Sequence, residues 1–283
     1  MNTLTATVLE NEPAIRLAFF LGIFVVMAVL EMRLPRRVLT QSKSVRWLNN
    51  LGVVVLNSVL LRLVFPAAAV GMAAFAESAG WGLFNYLDWP MALEFFLVVV
   101  LLDGVIYLQH VMFHAVPAFW RLHRMHHTDM DFDVTTGARF HPIEILLSMV
   151  VKFAVIAALG APPVAVIVFE VLLSGMAMFN HANVKLPQKL DAVLRWVIVT
   201  PDVHRIHHSV IDYETNTNYG FNLSIWDRIF GTFTEQPEHG HEGMTIGIVK
   251  FRDKKFQTLP WMLIQPFIGK VEEYVINRRQ WRP

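Results

Sequence analysis

Long apolar stretches constrain the fold of this 283-residue chain more than any other feature of its sequence. Crossing the hydrocarbon core of a bilayer takes about 20 apolar residues, and in lipid a helix satisfies its own backbone polar groups. Hydrophobic residues make up 54% of the chain and charged residues only 17%, with a mean hydropathy of +0.43. The sequence therefore predicts an all-α integral membrane protein with about four transmembrane spans, at residues 14–32, 47–76, 90–114 and 142–180.

Two of these spans contain interruptions. The second is broken by polar or helix-breaking residues, which predict a long, tilted or kinked helix: Asn57, Arg62 and Pro66. The fourth contains Gly160-Ala-Pro-Pro163, which predicts a helical hairpin with short arms, re-entrant or spanning. Lys152 and Glu170 lie at similar depth on the two arms. We expect them to pair, because a lone charge in hydrocarbon is costly.

The distribution of charge predicts the orientation. Residues 33–46 contain five Lys or Arg and no acid, whereas residues 77–89 contain two acids and no Lys or Arg. By the positive-inside rule the first loop is cytoplasmic and the N-terminus lies outside. The first span lacks a basic leader and a cleavage site, so we expect an anchor. Residues 181–283 then form a cytoplasmic cap and tail, with an amphipathic surface helix at 186–200 whose basic residues face lipid headgroups: Lys185, Lys189 and Arg195.

Three histidine-rich motifs predict a metal site. They are HVMFH at 110–114, HRMHH at 123–127 and HRIHH at 204–208, and a random H-x-x-H-H is expected roughly 0.02 times in a chain with 12 histidines. Residues three and four apart share a helix face, so we expect each motif to converge on one point. One transition-metal ion takes about four to six ligands, so two ions fit eight imidazoles better than one. The eight are His110, His114, His123, His126, His127, His204, His207 and His208.

The third span predicts where this site lies. A helix over residues 90–114 is about 37 Å long, so its last histidines reach the cytoplasmic interface. Asp103 shares a helix face with them, and we expect it to hold a ligating imidazole in its tautomer, a capped or water-bridged core acid being the alternative. Asp129, Asp131 and Asp133 lack the glycine and final glutamate of a calcium loop, and we interpret them as solvated.

These motifs resemble the fatty acid hydroxylase and sterol desaturase superfamily of integral membrane diiron enzymes. The resemblance covers most of residues 90–270, and the three histidine boxes of the family, H-x(3,4)-H and two copies of H-x-x-H-H, are intact. Further matching segments are 103–114, 136–144, 180–183, 201–208, 218–222 and 226–231. The resemblance implies two iron ions, dioxygen as oxidant, and hydroxylation or desaturation of an unactivated C–H bond in a sterol, carotenoid or acyl lipid.

The resemblance also implies the ligands. The eight motif histidines and His181 would bind the two irons, and Asp103 and Asn183 would form hydrogen bonds that orient these ligands. Zinc could occupy the site in a purified sample. Some relatives have a further histidine where this chain has Ala177, so one ligand is replaced by water or supplied by His141. Ligand and structural roles are equally expected for His141. His239 and His241 lie in a polar loop, where we expect them to be solvated.

The implied partners are a lipid substrate, dioxygen, the bilayer and an external electron donor. The sequence has no cysteine, no dinucleotide fingerprint and no haem domain, so a reductase, ferredoxin or cytochrome must supply two electrons, docking on exposed Lys and Arg. The net charge of +1 does not suggest nucleic acid.

A desaturase with the same ligands is an open alternative. A histidine-rich metal transporter or sensor is another, although it should place ligands along a path through the bilayer. A zinc hydrolase would need a motif such as H-E-x-x-H, which does not occur.

Overall fold

The computed structural model describes residues 3–87, 89–271 and 274–276. In these ranges the chain forms helices and irregular segments, and its β-type pairings are isolated bridges, so the predicted all-α class is confirmed. The helices are α1 Thr3–Glu10, α2 Glu12–Arg33, α3 Lys43–Val64, α4 Ala68–Ala79, α5 Met91–Ala115, α6 Pro117–His127, α7 Pro142–Leu159, α8 Pro163–Asn180, α9 Gln188–Leu194, α10 Pro201–His207, α11 Asp212–Thr215, α12 Ile225–Ile229, α13 Gly240–Gly243 and α14 Leu259–Ile264.

Five stretches of the described chain are long and apolar enough to cross a membrane: Glu12–Arg33, Lys43–Asn85, Met91–Ala115, Pro142–Leu159 and Pro163–Asn180. The chain is a multi-pass membrane protein. The prediction of about four spans counted residues 142–180 once, whereas its two arms are separate helices of 18 residues each. Asp88, one of the acids used to predict the orientation, lies outside the described residues, as do residues 272–273 and 277–283 of the predicted tail.

Proline and glycine set the helix boundaries. Pro66 separates α3 from α4, so the predicted kink is a complete break. Proline also lies in the first turn of α6, α7 and α8, where the missing N–H group has no intrahelical partner to lose. Gly160 ends α7 with a φ of +66°, and a Cβ there would lie 2.6 Å from the Trp81 carbonyl oxygen. Only glycine satisfies both requirements of this tight turn.

An ion network joins three helices inside the bundle. The main apolar core lies among α4, α5, α7 and α8, and α2 packs along α8. Lys152 Nζ lies 2.7 Å from Glu170 Oε1, which confirms the predicted pair between α7 and α8. Arg16 of α2, which the sequence did not suggest as a partner, lies 3.0 Å from Glu170 Oε2 and 2.7 Å from Glu12.

The cap, residues 117–141, 181–271 and 274–276, packs against the C-terminal ends of α5 and α8. The basic segment after α2 fastens to it. Arg36 Nε lies 3.2 Å from Asp202 Oδ2, and the Arg37 guanidinium donates to the carbonyls of His241 and Met244 at 2.5 and 2.6 Å. The positive charges that predicted the orientation therefore also hold the cap on the bundle.

The acids after α6 are buried, so the prediction that they are solvated is wrong. Arg46, at the start of α3, lies 2.8 Å from Asp129 and 2.5 Å from Asp133. Asp131 accepts hydrogen bonds from the backbone N–H groups of residues 40–41. Burial alone would raise the pKa of Asp129, but the arginine beside it lowers that pKa to about 2. A cation far away in sequence compensates these acids, which local composition does not reveal.

The surface helix predicted at 186–200 is shorter and less basic than expected. It spans Gln188–Leu194 as α9. Arg195 is buried and ion-paired with Asp191, so the prediction that it faces headgroups is wrong, whereas Lys185 and Lys189 are exposed. The side chains of Val193 and Trp196 are 69% and 65% exposed, so this surface is largely apolar.

Candidate metal centre

Nine buried histidines converge where the bundle meets the cap. They form two groups, and within each group one ring nitrogen per residue lies within 4.8 Å of the others. The residues come from the end of α5, from α6, from the residue after α8, and from α10 with the residue that follows it. The first group is His110, His114, His123, His127 and His207, and the second is His126, His181, His204 and His208.

Each H-x-x-H-H motif divides between the two groups, so the expectation that a motif converges on one point is wrong. His123 and His127 belong to the first group, but His126 belongs to the second; His207 is likewise separated from His204 and His208. Residues four apart on a helix differ by about 40° in direction, whereas adjacent residues differ by about 100°. One motif can therefore supply ligands to two neighbouring points.

Outward hydrogen bonds fix the rings of the first group. The Nδ1 atom of His123 lies 2.6 Å from Glu144 Oε1 and that of His114 lies 3.2 Å from Asn216 Oδ1. The Nδ1 atoms of His110 and His207 each lie 2.8 Å from a backbone carbonyl oxygen, of residues 219 and 217. All four acceptors require the proton on Nδ1, which leaves the lone pair on Nε2, facing the centre of the group.

The inward nitrogens of the first group lack ordinary partners. His110 Nε2 lies 3.0 Å from His123 Nε2, although both carry lone pairs by the preceding argument. The Nε2 atoms of His114, His127 and His207 are buried and have no hydrogen-bond partner in the described chain. Buried unsatisfied groups cost about 1–3 kcal/mol each, and a cation bound among the lone pairs would relieve all of them. This donor set fits a transition-metal ion.

The second group has the same character with four rings. His181 Nδ1 donates to the Ala177 carbonyl oxygen at 2.8 Å, so its Nε2 lone pair faces inward. That atom lies 3.2 Å from His126 Nε2 and 3.1 Å from His204 Nε2. Both ring nitrogens of His208 are buried without a hydrogen-bond partner in the described residues. This group also fits a metal ion, with one histidine fewer.

Burial keeps the cap histidines neutral, as metal ligands must be. It lowers the pKa values of His123 and His181 to about 3. It also lowers the pKa values of the remaining cap histidines of both groups well below the ordinary range, and the neighbouring rings add to the effect. An uncharged imidazole offers its lone pair without first losing a proton.

Asp103 and Asn183 do not contact the imidazoles they were expected to support. Asp103 accepts from Trp226 Nε1 at 2.8 Å and from two backbone N–H groups of residues 222–223. Asp103 thus anchors the loop that contains residue 219, whose carbonyl oxygen accepts a hydrogen bond from His110. It supports the site through this loop and not by the direct contact with an imidazole that was predicted. Asn183 exchanges hydrogen bonds with the backbone of Arg37, at 3.0 and 2.8 Å, and so fastens the basic segment.

The remaining histidines lie outside both groups. His141 caps α7: its Nδ1 accepts from the backbone of residue 143, and its Nε2 donates to the Leu263 carbonyl oxygen, both at 3.2 Å. This geometry corresponds to the structural alternative. His239 is exposed, as expected. His241 is buried 3.6 Å from Asp202, so the expectation that it is solvated is wrong.

Glu144 was not predicted as a site residue, although the sequence contains a feature that indicates one. It is buried in the first turn of α7 and makes the shortest of the outward contacts, to His123. An acid in a mostly apolar, membrane-length helix is costly and is therefore a candidate functional position. By contrast, Asn216 and the carbonyls of residues 217 and 219 lie in an irregular loop, which gives no periodic signal.

A cavity of about 240 Å³ opens beside the first group. His110 and His123 form part of its lining, together with aromatic rings that shield the histidines: Phe113, Phe140 and Phe221. The cavity lies between α5, α7 and α8, and Arg16, Lys152 and Glu170 of the ion network also line it. A ligand within the bundle could therefore reach the histidines.

The chain is similar to proteins of known activity. The fatty acid hydroxylase family matches residues 95–232. An ornithine lipid hydroxylase of Rhizobium tropici is 32% identical over 192 residues, which are 68% of this chain and 56% of that protein. Alkylglycerol monooxygenases of Xenopus tropicalis and Homo sapiens are 31% and 32% identical, over 63% and 62% of this chain and 39% and 38% of theirs.

The aligned part of the chain thus spans about half the length of these curated relatives, or less. No solved structure matches. The matched region nevertheless contains every histidine of the two groups, both H-x-x-H-H motifs and Glu144. The chain therefore belongs, through residues 95–232, to the fatty acid hydroxylase superfamily.

Proposed function

We propose that this chain is a membrane diiron oxygenase that uses dioxygen and external electrons to hydroxylate an unactivated C–H bond of a lipid. The observation that carries the proposal is the orientation of the histidines: outward acceptors hold the rings so that lone pairs crowd into two buried centres. The relatives named as lipid hydroxylases and monooxygenases support the same chemistry.

The two groups would each hold one ion. The first group offers five imidazoles and the second four, so the second has more room for a ligand that is not protein. When bound, two iron ions would supply the redox chemistry that activates dioxygen. Neutral imidazole also suits zinc and copper, so iron is proposed from the family and not from the donor set.

The chain's own residues would prepare the site for this chemistry. Glu144 and Asn216 accept Nδ1 protons and so fix which nitrogen faces the centre. Phe140 stacks on His126 with ring centroids 4.5 Å apart, and Phe221 lies 5.4 Å from the His110 ring, so apolar surface replaces water beside the centre. The adjoining cavity would hold one carbon of the substrate next to the histidines.

A cytoplasmic location of the metal site and C-terminus belongs to the same proposal. It is supported by the basic residues 33–46, which are fastened to the cap. An external electron donor would then dock on the cap, where several lysines are exposed: Lys250, Lys254, Lys255 and Lys270. Opposite charge on a reductase, ferredoxin or cytochrome would steer it to this surface.

Product mass tests the proposal. Membranes of a bacterial host that expresses the chain with an electron donor should contain lipids that have gained one oxygen. A variant His207→Ala should produce none, whereas His239→Ala, which removes an exposed histidine outside both groups, should behave like the parent. Lipids that have lost two hydrogens would establish a desaturase instead. Unchanged lipids with metal uptake retained would favour the transporter alternative.

A further inference from the structure

The cavity beside the first histidine group is polar along one wall, which is unusual inside an apolar bundle. Gln109 and Ser148 line it and share a hydrogen bond of 3.1 Å, and the buried Oε1 atom of Gln109 has no partner in the described chain. Ser174 and the ion network continue this wall. A purely hydrocarbon ligand would cover these groups without pairing them, at a cost in free energy.

The ion network lies far from the histidines along the cavity. Glu144, which contacts His123, and Lys152 are eight residues apart on α7, a rise of about 12 Å. Ala177 and Glu170 on α8 are seven residues apart, a rise of about 10 Å. All four residues line the cavity, so one end of it reaches the histidines and the other reaches the charges.

Arg16 and Lys152 of the ion network have N–H donors that their contacts with carboxylates do not use. Lys152 has three N–H donors and uses one on Glu170, while 11% of its side chain is exposed. Arg16 has five donors, contacts Glu12 and Glu170, and is 38% exposed. Both cations contact the same carboxylate at this end of the cavity, that of Glu170. The network therefore offers more N–H donors than its carboxylate contacts use.

We infer that Arg16, Lys152 and Glu170 form a binding site for an acceptor oxygen of the substrate, a carbonyl or a carboxylate. This inference rests on the proposed function, because it places the oxidised carbon at the histidine end of the cavity. The acceptor oxygen then lies about 12 Å from that carbon. An extended chain covers roughly 1.2 Å per bond, so about ten bonds separate the two positions.

Binding of three probes of equal chain length tests the inference without requiring turnover. Hexadecane, methyl hexadecanoate and hexadecanoate are each titrated into the detergent-solubilised protein, and the shift in Tm gives an apparent Kd. We expect the parent to bind at least one oxygen-bearing probe about tenfold more tightly than hexadecane. A preference for both probes identifies a carbonyl, and a preference for hexadecanoate alone identifies a carboxylate; either supports the inference.

The triple variant Arg16→Met, Lys152→Met and Glu170→Leu removes both donors together with the carboxylate that they share, so none of the three positions keeps an unpaired charge. Its apparent Kd values for the three probes should become equal. The matched control Lys189→Met removes an exposed lysine outside the cavity and should keep the parental preference. A parent without any preference, or a triple variant with the parental preference, would overturn the inference. A merely structural pair would lower Tm without changing the ratio of the Kd values.

Metal content and lipid products of the same preparations separate this inference from the proposed function. Probe preference in a protein that binds no iron and oxidises no lipid would leave the binding site in place and reject the oxygenase. Lipid oxidation by a parent without probe preference would support the oxygenase and reject the binding site. If both hold, the new hydroxyl group should lie about ten bonds from the acceptor oxygen in the parent product.

Discussion

Replacing Glu144 by glutamine tests how strongly the first histidine group depends on its outward contacts. The carboxylate and the His123 ring are both buried, and their contact of 2.6 Å is short enough to be charge-assisted. Glutamine keeps an oxygen that can accept the Nδ1 proton but loses the charge. Alanine removes the acceptor and leaves the ring free to turn.

The expected magnitude follows from these contacts. Loss of the residue that orients a metal-binding histidine typically lowers metal affinity 10–100-fold, about 1.4–2.7 kcal/mol. We expect Glu144→Gln near the lower limit and Glu144→Ala near the upper limit, because only the alanine variant loses the hydrogen bond. The second group has its own outward contact at His181, so about one ion per chain should remain bound tightly.

Dialysis against graded chelator concentrations, followed by elemental analysis, measures this affinity. The control Glu77→Gln changes an exposed acid at the end of α4 and should match the parent. Thermal unfolding of each variant checks that the bundle is intact. Parental affinity in Glu144→Ala, or equal loss of both ions in Glu144→Gln, would refute the reasoning that this carboxylate orients one group.

Three further substitutions test other parts of the structure. Arg46→Met should destabilise the cap by about 3–5 kcal/mol, because it leaves two buried carboxylates unpaired; a Tm within about 2 °C of the parent would contradict this. Gly137→Ala drives a methyl group into the Ala177 carbonyl oxygen, which accepts the His181 Nδ1 proton, so elemental analysis should detect loss of about one ion per chain, and full retention would be unexpected. Lys152→Met should lower the free energy of unfolding by about 1–3 kcal/mol more than Lys152→Met with Glu170→Leu; the opposite order would mean that the pair is not coupled.

Periodic and compositional signals predicted much of this architecture. Apolar runs located the membrane helices, because in lipid the backbone must form its hydrogen bonds within each helix. Histidine spacing selected the residues that form the two buried groups, although it did not predict how each H-x-x-H-H motif divides between them. The pairing of Lys152 with Glu170 followed from equal depth on two arms of a hairpin. All three arguments depend on local geometry.

The sequence did not predict contacts between distant segments. The acids at 129–133 resemble a solvated loop until Arg46 is brought to them by the packing of α3. Asp103 shares a face with His110, but it binds the backbone of residues 222–223 and the indole N–H group of Trp226 in α12 instead. The division of each histidine motif between two groups depends on how α5, α6 and α10 meet, which no single helix determines.

Metal content tests the central claim most directly. The protein is purified in detergent from iron-replete cells without chelator, and its metals are identified and counted by elemental analysis. We predict about two irons per chain, and a loss in both His207→Ala and His126→Ala, which remove one ligand from each group, but not in His239→Ala. A parent with less than about one metal ion per chain, or unchanged content in the first two variants, would contradict the account of two buried metal centres.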